Sequence, residues 1–275
     1  MKISIGISPC PNDTFIFEAL IQKRIDTGPF DLHFVFEDVE TLNRLSVTGH
    51  LDVTKLSLFA FALVSKNYQL LDSGSALGKN CGPLIIAKEP VPISDIQNCS
   101  ISVPGERTTA HWLLQMAHPQ LKQKEFTHFS EIENKVLQSI TDLGLIIHEN
   151  RFTYRDKGLH KVQDLGEFWE SFSGLPLPLG GIAIRRDADH GRKQKINQLI
   201  RESIEFAFEH PQVSLPFIQS YAQEMEENVI KDHINLYVNE YSKSLQKEGK
   251  QAIMYMLHLM ESMHMCPKVV LPIFI

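Results

Sequence analysis

Apolar and polar positions along this chain switch repeatedly between a period of two and a period near that of a helix. Ile3, Ile5 and Ile7 alternate with Ser4 and Gly6 as in a strand, and Phe15, Ile16, Ala19 and Leu20 then recur at helical spacing among Glu18, Gln22, Lys23 and Arg24. The same change follows at residues 32–37 and Val39–Val47, and again at residues 52–56 and 59–64, with further apolar runs at 69–75 and 83–87. Strands alternating with helices predict an α/β sheet built from βαβ units.

A second, shorter series predicts a strand at 100–103, a helix at Thr109–Ala117, a strand at 126–129, a helix at 131–139 and a strand at 144–147. The Gly- and Pro-rich residues 174–181 read as a loop, with Gly180-Gly181 as a hinge or turn, and Ile182-Ala183-Ile184 reads as the chain returning to the first domain. From Lys193 the pattern is helical to the end, at 196–209, 215–222, 228–238 and 250–264. The expected organisation is a larger discontinuous domain, residues 1–87 plus 182–275, and a smaller α/β domain, residues 88–181. Two such lobes joined by two crossings predict a clamshell with a cleft for a small ligand. That shape alone does not separate a binding protein from an enzyme.

Composition narrows the partners. A net charge of −6, with the 27 Lys and Arg scattered, argues against nucleic acid. The longest apolar stretches fall well short of the roughly 20 residues a membrane-spanning helix needs. The polar turn at Ser8 follows the first strand directly, leaving no room for a secretory leader, so a cytoplasmic protein is expected. Cys10, Cys81, Cys99 and Cys266 show no paired spacing, which fits reduced thiols better than a disulfide frame or a zinc site. The apolar end, residues 269–275, is expected to pack on the first lobe or on a partner subunit, and a homodimer is left open.

The turn after the first strand is Ser8-Pro9-Cys10-Pro11-Asn12-Asp13-Thr14-Phe15, where two prolines fix the backbone and three polar residues stand ready to begin a helix. With it go Asp52-Val53-Thr54-Lys55-Leu56-Ser57, Pro104-Gly105-Glu106-Arg107-Thr108-Thr109-Ala110 and Gly144-Leu145-Ile146-Ile147-His148-Glu149. In this order, across essentially the whole chain, the four segments resemble the 1,4-dihydroxy-6-naphthoate synthase family of the futalosine route to menaquinone. The resemblance implies a fold similar to type II periplasmic binding proteins. It also implies conversion of cyclic dehypoxanthinyl futalosine to 1,4-dihydroxy-6-naphthoate, without metal or redox cofactor.

Each candidate residue carries a plain alternative. Thr108 and Thr109 open a helix after a glycine, where backbone amides and the helix dipole suit a substrate carboxylate, but one of them can simply be the N-cap. His148 follows an apolar strand, a position suited to a general base, although any one of twelve histidines is more often a surface or core residue. The resemblance implies that the base is a histidine in this segment, and His148 is the candidate there. It likewise implies that Lys55, Leu56 and Ser57 contact substrate, Lys55 through its charge and Ser57 through its hydroxyl and amide; capping is the alternative for Ser57. Asn12 and Asp13 either face the cleft or only cap their helix. Cys10 as a nucleophile, and His258, Glu261, His264 and Cys266 as a metal patch, are weaker readings than tight packing and a mixed helix surface. Two other functions stay open: chorismate dehydration, which belongs to the same pathway, and non-catalytic binding of an organic anion.

Overall fold

The computed structural model describes residues 1–222 and 226–275. The chain begins β1 (Lys2–Ile7), α1 (Pro11–Ile21), β2 (Asp31–Phe36), α2 (Val39–Val47), β3 (Val53–Ser57), α3 (Leu58–Val64), β4 (Tyr68–Leu70) and β5 (Ala76–Gly78). It continues through β6 (Leu84–Ala87), β7 (Ile101–Val103), α4 (Thr109–Ala117), β8 (Lys124–Phe126), α5 (Ile132–Leu137), β9 (Leu143–Ile146), α6 (Asn150–Thr153), β10 (His160–Asp164) and α7 (Leu165–Ser173). It ends with β11 (Leu177–Arg185), α8 (His190–Glu209), α9 (Pro211–Gln219), α10 (Glu227–Tyr237), α11 (Glu240–Lys243) and α12 (Gln246–Ser262).

Two compact units result, Met1–Gly78 with Pro178–Ile275, and Lys79–Leu177. The first crossing thus falls ahead of β6 instead of after residue 87, because β6 pairs with β9 and β10 in the second sheet. All four residues of β6 are buried, and a strand apolar on both faces carries no mark of the sheet it joins.

In the first unit the strand order is β2-β1-β3-β11-β4, with β5 added to β11. β1 is parallel to both β2 and β3. The chain therefore leaves β1 in one direction and returns to its other side, so the seam between β1 and β3 is a topological switch point. Ile3, Ile5, Ile7, Val53, Ile182 and Ile184 from the sheet pack with Phe15, Ile16 and Leu20 of α1 and Ile196, Leu199, Ile200 and Ile204 of α8. Each such side chain contributes about 1.5–3 kcal/mol on burial.

In the second unit the order is β10-β6-β9-β7-β8. β7 is parallel to β8 and to β9, so a second switch point lies between β7 and β9. A Cβ at Gly144 of β9 would stand 2.7 Å from Ile132 Cγ2 and 2.9 Å from Val136 Cγ2, so glycine lets α5 lie directly on the strand. Trp112 of α4 and Trp169 of α7, both fully buried, meet edge to face at 5.9 Å.

Four local expectations are corrected. Residues 177–181 are strand, not loop: Gly180 and Gly181 pair with Ser57 and Leu56 in an antiparallel ladder, a use of glycine between strands that local sequence does not separate from a turn. The strand expected at 126–129 is β8 at Lys124–Phe126, and a 3-10 turn occupies Phe129–Glu131. β10 and α7 did not register as elements, since the strand is short and partly exposed. Helix does not run to the end of the chain: Leu70 N donates to Ile273 O and Ile275 N to Leu70 O, so the apolar tail lies along β4 within the first unit. Among the described residues, no helix is long and apolar enough to cross a membrane.

Candidate functional site

Loops at the carboxyl ends of parallel strands beside a switch point are where open α/β sheets place ligands. In the second unit these are the segments after β7 and β9. The chain leaves β7 through Pro104 and Gly105, whose φ of +152° favours glycine. Thr108 is the N-cap of α4, and its hydroxyl accepts from His111 N at 3.1 Å while donating to Gly105 O at 3.0 Å. The capping role expected as the alternative is therefore real, and the hydroxyl's single proton is held by the loop. Thr109 follows as the first helical residue, and no acidic side chain sits in the first turn to offset the partial positive charge there.

His111 fastens this loop from behind. Its ring Nδ1–H donates to Glu106 O at 2.7 Å, and Gln115 Nε2 donates to its Nε2 at 2.6 Å, a pattern that requires the neutral ring. Burial lowers its pKa below the usual histidine value; the bond to Glu106 opposes that shift and nearby Lys124 adds to it.

His148 lies two residues beyond β9, in the turn before α6, with φ at +60°. A side chain other than glycine in this region is uncommon, costs on the order of 1 kcal/mol or more, and persists where neighbours hold it. The half-buried imidazole meets the Phe129 ring edge-on at 5.2 Å. Beyond the turn, Arg151 pairs with Asp164 at 2.7 Å and donates to Gly82 O, while Asp164 caps α7 by accepting from Gly166 N at 2.7 Å. The histidine turn is thus tied to the rigid start of α7.

The first unit gathers the other candidates at its own switch point. Asp13, in the first turn of α1, accepts at Oδ2 from Ser8 N (3.0 Å) and Ser8 Oγ (2.8 Å). At Oδ1 it accepts from Asn12 Nδ2 (2.8 Å) and Lys55 Nζ (2.7 Å), and it is fully buried. Asn12 Oδ1 accepts from His233 Nε2 at 3.1 Å. Ser57 precedes α3 without a side-chain cap bond; its hydroxyl accepts from Asn43 Nδ2 and its amide donates to Asn43 Oδ1, both at 3.0 Å. Cys10 is buried at the N-cap of α1 and its carbonyl accepts from Thr14 N, as tight packing requires. Glu261 accepts from Val269 N, an anchor for the tail.

These placements join what the sequence keeps apart. A model of a menaquinone-biosynthesis family matches residues 3–262. The chain belongs to the menaquinone-biosynthesis family. Within it, the chain is 43% identical over 251 residues, 91% of each chain, to the 1,4-dihydroxy-6-naphthoate synthase of Thermus thermophilus. It is 38% identical over 256 residues to the enzyme of the same name from Streptomyces coelicolor, covering 91% of this chain and 90% of that one. A crystal structure of an Archaeoglobus fulgidus protein superposes with a TM-score of 0.92 at 33% identity, covering 96% of this chain and 98% of that one. The alkanesulfonate-binding protein of Xanthomonas axonopodis pv. citri, at 12% identity, matches with a TM-score of 0.77 over 100% of this chain and 98% of its own, which shows a periplasmic-binding-protein fold. The family places the chain as an enzyme of menaquinone biosynthesis.

Sequence reasoning missed His111, His233 and Asn43. His111 had a local signal, since it stands three residues after the capping Thr108. His233 is 221 residues from Asn12, and Asn43 is 14 from Ser57 on a different element, so neither had one.

Proposed function

We propose that this chain is a lyase that converts cyclic dehypoxanthinyl futalosine to 1,4-dihydroxy-6-naphthoate, with His148 as the general base. Membership of the family and the names of the relatives support the reaction. The observation that carries the residue assignment is His148 itself, a non-glycine residue in left-handed backbone at the carboxyl end of the strand beside the switch point. Neighbouring β7 ends in the loop that opens α4 at Thr108 and Thr109.

The roles follow from the chemistry of each group and its place in the fold. The first-turn amides of α4, with Thr109, hold the substrate carboxylate, while Thr108 shapes the turn that presents them. An imidazole accepts a proton near neutral pH without large tuning. His148 takes a proton from the substrate, the electron pair released breaks the bond to the sugar-derived ring, and the bicyclic aromatic acid leaves. Lys55, Leu56 and Ser57 are read as further substrate ligands through the Lys55 ammonium, the Leu56 backbone and the Ser57 hydroxyl proton. Asp13 acts on Lys55, not on substrate, because both its oxygens are filled, and Asn12 acts on Asp13 through its amide. On this reading the protein works in the cytoplasm on a small molecule.

The test is incubation of EDTA-treated protein and its His148→Ala variant with cyclic dehypoxanthinyl futalosine, followed by absorbance and mass. Release of naphthoate by the wild type, with loss of about 10²–10⁴-fold in the variant, is expected. Consumption of chorismate instead would assign the chain to dehydration, and tight binding without turnover of either compound would make it a binding protein.

A further inference from the structure

Two restraints on the His148 turn come from a single stretch of chain. Phe129 sets its ring edge against the imidazole, and one helical turn later Glu133, the second residue of α5, reaches the backbone that follows. Glu133 Oε2 accepts from Asn150 Nδ2 and, at 2.8 Å, from Lys157 Nζ. Asn150 is the first residue of α6, two positions after His148, and is itself buried.

The burial of Glu133 is what makes the contact informative. Its side chain is 5% exposed, whereas the Lys157 that balances its charge is 37% exposed, and Glu133 Oε1 is buried with no hydrogen-bond partner. Its helix neighbours Ile132 and Val136 are core residues packed with Leu84, Ile86 and Ile146. A half-satisfied carboxylate among such residues is a poorer source of stability than an apolar side chain would be. Its contact with Asn150 has a different use, since left-handed backbone at His148 needs to be held from outside.

We propose that Glu133 is a positioning residue of the reaction: through Asn150 it fixes the turn that aims the His148 imidazole. This rests on the assignment of His148 as the base. Glu133→Gln keeps the shape of the side chain but cannot serve Lys157 and Asn150 as a carboxylate does. A misplacement of the reacting group on the order of 1 Å costs up to about 100-fold in rate.

The experiment measures steady-state kinetics of Glu133→Gln, Asn150→Ala and Lys157→Met beside the imidazole Cε1–H resonance of His148, assigned by its disappearance in His148→Ala. Expected are a fall in kcat of about 10- to 100-fold with KM held within about 2-fold for Glu133→Gln and Asn150→Ala, and a displaced His148 resonance in both. Lys157→Met, which removes the charge partner and leaves the Glu133–Asn150 bond, keeps kcat within about 3-fold. Since Glu133→Gln weakens the link by removing its charge and Asn150→Ala cuts it from the other end, unfolding of one leaves the other to decide. A fall in kcat with the resonance unmoved overturns the proposal, as does unchanged kcat while His148→Ala is inactive. If His148→Ala keeps full activity, the base assignment fails separately, and the resonance alone then decides whether Glu133 positions the ring.

Discussion

Between β1 and β3, the helix that starts at the switch point carries an acid, Asp13, in its first turn, and every oxygen of that carboxylate is met by Ser8, Asn12 or Lys55. Between β7 and β9, the corresponding helix has no acid in its first turn, and the neighbouring loop places a histidine in left-handed backbone. The two seams share a topology and differ in what is left over. In the first, helix dipole, carboxylate and ammonium neutralise one another, which makes a rigid scaffold with a preset field. In the second, the helix start keeps its partial positive charge with no acid in its first turn. Equivalent places in a sheet thus differ in how the helix start beside the switch point is neutralised.

The contrast breaks most visibly at Lys55. Lys55→Met leaves Asp13 buried without its counter-ion and is expected to lower stability by about 3–5 kcal/mol in urea unfolding; a loss below about 1 kcal/mol would show that the first seam is not a scaffold. Next comes Gly105→Ala, which forces a Cβ onto φ of +152° and is expected to cost about 1–3 kcal/mol while raising KM. Thr108→Val removes the cap of α4 and is expected to cost about 1 kcal/mol, with KM rising more than kcat falls.

The smallest effect is a pH dependence. Burial depresses the folded-state pKa of His111, so below the ordinary histidine value the unfolded chain takes up a proton that the folded chain refuses. This contribution is complete above about pH 6.5. It falls as pH drops through that value and levels off once the lower folded-state pKa is passed. Its slope is at most about 1.4 kcal/mol per pH unit. Urea midpoints measured against pH for wild type and His111→Phe check it: the variant is expected to be flatter on the acid side, and parallel curves would remove His111 from the account.

The two seams were not equally legible in sequence. α2 and α4 were read to the residue, because a capping Asp38 or Thr108 and an amphipathic repeat are local signals. Asn12, Asp13, Lys55 and Ser57 were picked out by motif, yet the pairing of Asp13 with Lys55 was not, since it spans 42 residues and only the parallel register of β1 and β3 brings it about. His148 was found from a resemblance, whereas its backbone conformation is set by Phe129 and by Asn150 held from α5, contacts that no spacing announces. Gly180-Gly181 was misread for the same reason: whether a glycine pair turns or pairs depends on the strand beside it.

The most direct test of the division between the seams is the His148→Ala variant, with turnover of cyclic dehypoxanthinyl futalosine and the unfolding midpoint taken on one preparation. A loss of about 10²–10⁴-fold in kcat is expected, with a midpoint equal to or above that of the wild type. Turnover within a few fold of wild type, or a loss of activity that only tracks a lowered midpoint, would contradict it.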